Sequence, residues 1–274
     1  YTTAYDLYLI FNSLCHISLL FILSTFIKGT MKYNENYEGY FAEGILDMDS
    51  FRRAILISMN AVCQNYGGVI DEVFVGVPSA FISIQTIGQT ICFGKNQKIS
   101  AQDVDRLYQK GLDTLLPSGR CIHRSAMYFS LGDNRKYFTA ESLYGTSSWL
   151  LKGGLSYYFI SEEFYCAVSE ILTGRNISKI HFVPSTLAQA SYLISEKERE
   201  GYAFLLDIGF LTTSISVIYG NGVVHEETIN CGIGTIRVAI MEELGVDYVT
   251  AEEILNDSNI SGGLATKDLV WTSE

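Results

Sequence analysis

The chain has 274 residues, 48% of them apolar and 18% charged, with a formal net charge of −11. This balance supports a sizeable core in about two folding units and excludes global disorder. The acidic surface argues against a nucleic-acid partner, because a phosphate backbone is met by Lys and Arg. The six cysteines, Cys15, Cys63, Cys92, Cys121, Cys166 and Cys231, form no CxxC pair, and the four histidines are dispersed. No metal site is expected from them, and the cysteines read as reduced thiols packed as small hydrophobes. The sequence does not begin with Met and closes without an obvious terminal element, so a fragment is expected.

Residues Leu7 to Ile27 are nearly all apolar, long enough for a membrane span. Asn12, Ser13 and His16 interrupt them, and no Lys or Arg precedes them. The favoured reading is two buried strands, Leu7–Phe11 and Ile17–Phe26, joined at Asn12-Ser13. Tyr33 to Leu46 suits an edge strand with turns. Asp49 or Ser50 then caps a helix with Phe51, Ile55, Met59 and Val62 on one face, ending at Gly67. Val73 to Val77 is a short strand closed by Pro78. Ser100 opens a helix with a capping-box pattern and the stripe Val104, Tyr108 and Leu112. Strands are expected over Ala126–Leu131 and Leu155–Ile160, with loop signals at Gly132-Asp133-Asn134 and Gly145 between them. A helix from Ser161 to Gly174 turns Phe164, Val168 and Leu172 inward. Ile180–Val183 is a strand, and one helix from Ser185 runs into the charged stretch Glu196–Glu200.

The most readable stretch follows. A strand over Ala203–Leu206 ends in Asp207-Ile208-Gly209. Ser214–Ile218 and Val223–Ile229 form a hairpin across Gly220-Asn221-Gly222. Gly232-Ile233-Gly234 leads into a helix with Ile236, Ile240 and Leu244 inward, closed by Gly245. Thr250 to Glu253 fits a capping box for a last helix, and Ser261–Thr266 is loop-like. A strand ending in Asp-x-Gly, then Thr-Thr and a hairpin, suits a phosphate loop, because Gly lets backbone amides approach phosphate oxygens. Asp-x-Gly alone is more often a plain tight turn. The strand–turn–strand pattern occurs twice, near Leu14 and near Asp207, as a duplicated two-lobed fold would show.

The order of these elements is specific. VFVGVPSAFIS from Val73, ISAQDVDRLYQKGLD from Ile99, KIHFVPSTLAQASYLI from Lys179 and LLDIGFLTTSISVIYGNG from Leu205 resemble, in that order, the FtsA-type actin-like ATPases of bacterial cell division. The pilus-assembly relative PilM is similar in order and stays open. The resemblance covers roughly residues 20–260 and implies an α/β, actin-like (ribonuclease H-like) two-lobed fold with an inserted α+β subdomain and an incomplete C-terminal part. It divides the chain into a first-lobe core at 1–83, an inserted subdomain at 84–160, a return and connecting helix at 161–195, and second-lobe core at 196–274.

The resemblance also implies ATP and Mg2+. Asp207 would serve the metal and the attacking water as the one catalytic carboxylate. Gly209 falls on the second phosphate motif, and the Thr212 and Thr213 region would meet the terminal phosphates. Gly232 and Gly234 would form the Gly-rich turn, and Glu252 would contact the adenosine. Implied partners are further copies in filaments and the tubulin-like division protein FtsZ. The implied location is the cytoplasm, at the inner face of the membrane, with membrane contact through parts missing here. The sequence departs from the family at several positions. Phe210-Leu211 stands where the family has Gly-Gly, which should restrict dihedrals and crowd the phosphates. Ser214 replaces an aspartate, Leu255 a basic residue, and Phe11-Asn12-Ser13-Leu14 lacks the first motif's carboxylate and glycine. A scaffold of the same fold without nucleotide is therefore the second reading. A small-molecule kinase lacks a candidate pair of site residues.

Overall fold

The computed structural model describes residues 6–12, 16–22, 31–36, 40–41, 44–45, 47–66, 70–116, 119–133 and 135–256. The apolar start is a pair of strands, β1 (Asp6–Asn12) and β2 (His16–Ile22), antiparallel in the register Leu9↔Leu19. β3 (Met31–Asn36) continues the meander on β2. The short β4 (Tyr40–Phe41) and β5 (Gly44–Ile45) pair with each other. Among the described residues, no helix is long and apolar enough to cross a membrane.

Helix α1 (Met48–Tyr66) begins where the Asp47 side chain accepts from the Ser50 amide at 2.9 Å. Asp47 thus takes the capping role expected of Asp49 or Ser50, because its carboxylate reaches the amide three residues on. The expected stop at Gly67 lies outside the described residues. β6 (Glu72–Val77) returns parallel to β1, with every second side chain buried. After the insertion described next, α3 (Glu162–Thr173) is capped by Ser161, and β11 (Lys179–Pro184) lies parallel on β6. The sheet order is β11-β6-β1-β2-β3. Phe51, Ile55 and Val62 of α1 and Phe164, Val168 and Leu172 of α3 share one core with Val73, Val75 and Val77.

The insertion is a second α/β layer. β7 (Ile82–Lys98), α2 (Ala101–Thr114), β8 (Arg120–Leu131), β9 (Lys136–Tyr137) and β10 (Ser147–Ile160) build a sheet of order β7-β10-β8-β9. Both expected strands are the C-terminal parts of longer ones, and β7 was not expected. Its apolar residues are interleaved with Gln, Thr, Gly and Lys, and pairing along β10 supplies the order that pattern leaves out. α2 carries the capping box at Ser100 and buries Val104 and Leu107 against this sheet.

The second lobe opens with a break. The helix expected from Ser185 into the charged stretch is two helices, α4 (Ser185–Leu193) and α5 (Glu196–Arg199). Ser195 and Glu198 form a capping box between them, which restarts the helix and ends the first one. β12 (Tyr202–Ile208), β13 (Thr213–Tyr219) and β14 (Gly222–Ile229) form an antiparallel meander, the same arrangement as β1–β3. α6 (Ile233–Leu244) and α7 (Tyr248–Asn256) follow. Gly245 closes α6 with φ of 63°. Two expectations fail here. Ile236 and Leu244 are exposed, because the buried side chain of α6 is Arg237. Asp247, not Thr250, caps α7 by accepting from the Thr250 amide at 2.8 Å.

Candidate nucleotide cleft

β1, β6 and β11 are parallel, so their carboxyl ends share one rim of the first sheet, where ligands of open α/β sheets bind. β6 delivers Pro78 and Ser79 to that rim, and β11 delivers Pro184, Ser185 and the start of α4. The second-lobe sheet faces it. Thr228 donates to Ser79 at 3.4 Å, across the gap between the lobes. Further along, Ala190, Ile218, Val223 and Tyr158 form a small shared core. One end of the inter-lobe contact is therefore apolar and the other polar.

Asp207 stands at the polar end, near the close of β12. Gln189 Nε2 donates to its Oδ2 at 3.1 Å. The loop that follows is a tight turn, because the Gly209 amide donates to the Thr212 carbonyl at 2.9 Å. Among the described residues, the intervening amides of Phe210, Leu211 and Thr212 find no backbone acceptor. Consecutive free amides in a turn make a concavity for an anion. Asn176 is the non-glycine residue with positive φ among the described residues, so Phe210 and Leu211 keep ordinary backbone. The dihedral restriction expected of them is not incurred. The Phe210 ring lies against Gly234 and 5.4 Å from the Arg237 guanidinium.

Gly232 and Gly234 do join this loop. The Ile233 amide donates to Gly209 O at 2.9 Å and the Gly234 amide to Phe210 O at 2.8 Å. These are the first amides of α6, and they bind the loop's carbonyls in place of an anion. The Thr213 hydroxyl donates to the Cys231 carbonyl at 2.6 Å, tying β13 to the same segment. Glu252 sits one layer out. It pairs with Arg237 at 2.8 Å, and Arg237 also bonds the Tyr248 hydroxyl and lies near the Phe210 ring. So Asp207, Gly209, Thr212, Thr213, Gly232 and Gly234 share one neighbourhood, and Glu252 reaches it through Arg237. Of the first motif, Asn12 ends β1, and residues 13–14 lie outside the described residues.

Sequence reasoning missed four polar side chains here. Glu226 of β14 accepts from Thr186 Oγ1 at 2.5 Å and from Ser216 Oγ at 3.0 Å. Burial pushes its carboxyl up, and the nearby Asp207 charge adds to this. Gln189 is the fourth. Their signal was the i, i+3 spacing of Thr186 and Gln189 at a helix start, and the inward register of Glu226 beside Ser216. A separate cavity of about 290 Å3, bounded by Lys136, Phe138, Glu196 and Asn221, holds none of the candidate residues.

The residues suit a magnesium nucleotide. Magnesium needs one or two carboxylates plus phosphate oxygens, and among the described residues the hydrogen-bond partner of the Asp207 carboxylate is the neutral amide of Gln189. Among the described residues, no group of three or more His, Cys, Asp or Glu could hold a metal by itself. Asp207 would hold the ion and the 210–212 amides the phosphates. When bound, the ion would neutralise phosphate charge.

No family model matches the sequence, and no curated protein matches it. Solved structures do. The chain is similar to the PilM-PilN type IV pilus biogenesis complex at 13% identity and a TM-score of 0.50, covering 92% of this chain and 69% of that one. It is similar to the ethanolamine utilization protein EutJ from Carboxydothermus hydrogenoformans at 11% identity and a TM-score of 0.52, covering 94% and 63%. MreB5 of Spiroplasma citri bound to ADP gives 12%, a TM-score of 0.48, and 92% and 61%. The fold is the actin-like ATPase fold. The chain spans about two thirds of the length of these neighbours.

Proposed function

We propose that the protein binds ATP with Mg2+ in this cleft and acts in a bacterial assembly machine of the FtsA or PilM kind, with slow or no hydrolysis. The observation that carries the reading is the Asp207 strand end followed by a turn whose three amides have no backbone acceptor among the described residues. Asp207 takes the metal, and Gly209, Thr212 and Thr213 shape the phosphate turn. Weak hydrolysis follows from Asn12-Ser13, which offers no first-lobe carboxylate. The protein assembles with further copies, at the inner face of the membrane, with FtsZ as the partner in the division reading. The pilus reading draws support from the likeness to the PilM-PilN complex.

A second reading, a scaffold that binds no nucleotide, is favoured by one observation. The first α6 amides and the Thr213 hydroxyl are already used inside the protein. Equilibrium binding of a fluorescent ATP analogue decides between the two. Micromolar, magnesium-dependent binding that Asp207→Ala abolishes is the expected result. Folded wild-type protein that binds nothing supports the scaffold. Binding that survives Asp207→Ala removes that carboxylate from the site.

A further inference from the structure

Helix α4 follows the last strand of the first sheet, yet two of its side chains bond carboxylates of the second. Thr186 and Gln189 stand one turn apart on one face. Gln189 Nε2 donates to Asp207 Oδ2 at 3.1 Å, and Thr186 Oγ1 to Glu226 Oε1 at 2.5 Å. The next residue, Ala190, is fully buried against Ile218 and Val223. The two polar bonds therefore continue an apolar contact that already holds the helix to the sheet. Among the described residues, no Lys, Arg or His comes within 4.0 Å of the Asp207 or Glu226 carboxylate as an ion pair, and His225 acts on Glu226 from farther away.

We propose that Gln189 and Thr186 form a clasp between the lobes, and that a magnesium-bound phosphate ligand must displace Gln189 from Asp207 to bind. The inference rests on the nucleotide reading above. Gln189 and the cation compete for one carboxylate. A neutral amide is the weaker partner for a carboxylate, because a divalent ion adds full charge. The register of β12, β13 and β14 sets Asp207 near Glu226, whose carboxyl is pushed up by burial and then by the Asp207 charge, and a bound ion would offset that charge. Once Gln189 leaves, Thr186–Glu226 is the rung that α4 keeps, beside the separate Thr228–Ser79 bond, and the apolar contact at Ala190 is the pivot. Gln189 and Thr186 are thus positioning residues. They set how much binding energy goes into opening the cleft.

The test uses the whole chain, with the fluorescent ATP analogue and Mg2+ as probe, on wild type, Gln189→Ala and Thr186→Val. Gln189→Ala is expected to bind about tenfold tighter, the order of one hydrogen bond to a charged group. Thr186→Val leaves Asp207 untouched and is expected to speed hydrogen exchange in α4 without ligand. Adding the analogue to wild type should speed the same amides. Wild type that binds while Gln189→Ala binds equally or more weakly overturns the clasp and leaves the nucleotide reading standing. Ligand that leaves α4 exchange unchanged overturns it too. Absence of binding in both proteins removes the nucleotide reading itself and the competition with it. Binding that emerges only in Gln189→Ala supports the clasp.

Discussion

Gly232 shows how one residue type can be fixed by contact alone. Its φ of −142° is open to any residue. A Cβ there would stand 2.5 Å from both Gly209 O and Phe210 O, which are backbone atoms and cannot swing away. Gly232→Ala is therefore expected to destabilise the protein by about 1–3 kcal/mol, the range for overpacking, read by urea denaturation. Gly88→Ala is the control, because nothing lies within 4 Å of its Cβ position. A Gly232→Ala midpoint equal to the control's would mean that the loop and α6 are not in contact. The Gly232-Ile233-Gly234 turn was legible in the sequence, but its reason was not. Chain order marks a turn before a helix, whereas the close approach comes from a loop more than twenty residues earlier. Phe210 has the same history. Its bulk suggested a spoiled phosphate turn, and only the fold shows the ring stacked toward Arg237.

Among elements, α2 is the one whose ends were most plainly written. Ser100 accepts from the Asp103 amide at 3.3 Å, and Asp103 Oδ2 accepts from the Ser100 amide at 3.0 Å. Both orphan donors at the helix start are satisfied by residues three apart, so local sequence suffices. Ser100→Ala should cost about 1 kcal/mol, with faster amide exchange confined to the first turn of α2. Exchange that rises equally across the whole chain would contradict a local cap. α4 and α5 show the opposite case. Apolar residues and good helix formers run through the Leu193–Glu198 region, and they suggested one helix. The Ser195–Glu198 box competes locally and restarts the helix, while the Gly220 amide donates to Arg199 O at 2.6 Å and fixes the second piece against the hairpin. α6 misled for a related reason. Its Ile236 and Leu244 read as an inward stripe, yet the helix spends its buried position on Arg237, which needs Glu252 and Tyr248 as partners.

At the scale of the molecule, the two meanders differ in what flanks them. Among the described residues, β1 has β6 on its outer edge, and β12 stands at the edge of its sheet. Alternate residues of β12 (Tyr202, Phe204, Leu206 and Ile208) are exposed, Phe204 at 73%. An apolar edge strand of this kind is a template for pairing with another chain. Self-association of the chain should therefore weaken in Phe204→Lys, read as a lower sedimentation coefficient at high protein concentration. Identical sedimentation of an associating wild type and this variant would move the contact elsewhere. The hairpin tip, by contrast, is firmly placed. Gly220, with φ of 57°, lies where a Cβ would meet Met127 O at 1.8 Å, and Asn221 Nδ2 donates to Phe138 O at 2.7 Å. The second lobe is thus seated on the insertion.

The sequence by itself determined the elements that rest on neighbours along the chain: the two N-terminal strands, the capped helices α2 and α3, the Gly-Asn-Gly hairpin and the Asp207 strand end. Hydrogen-bonding reach over three or four residues, and alternation over two, are local properties, so local order records them. Only the tertiary structure decided which of those pieces meet. Gln189 on Asp207, Thr186 on Glu226, Arg237 under Phe210 and the 17-residue strand β7 all depend on partners far away in sequence. Side-chain chemistry names what each group can bond. Packing of the lobes chooses the partner, because a buried polar group must take whichever donor or acceptor the fold brings within reach.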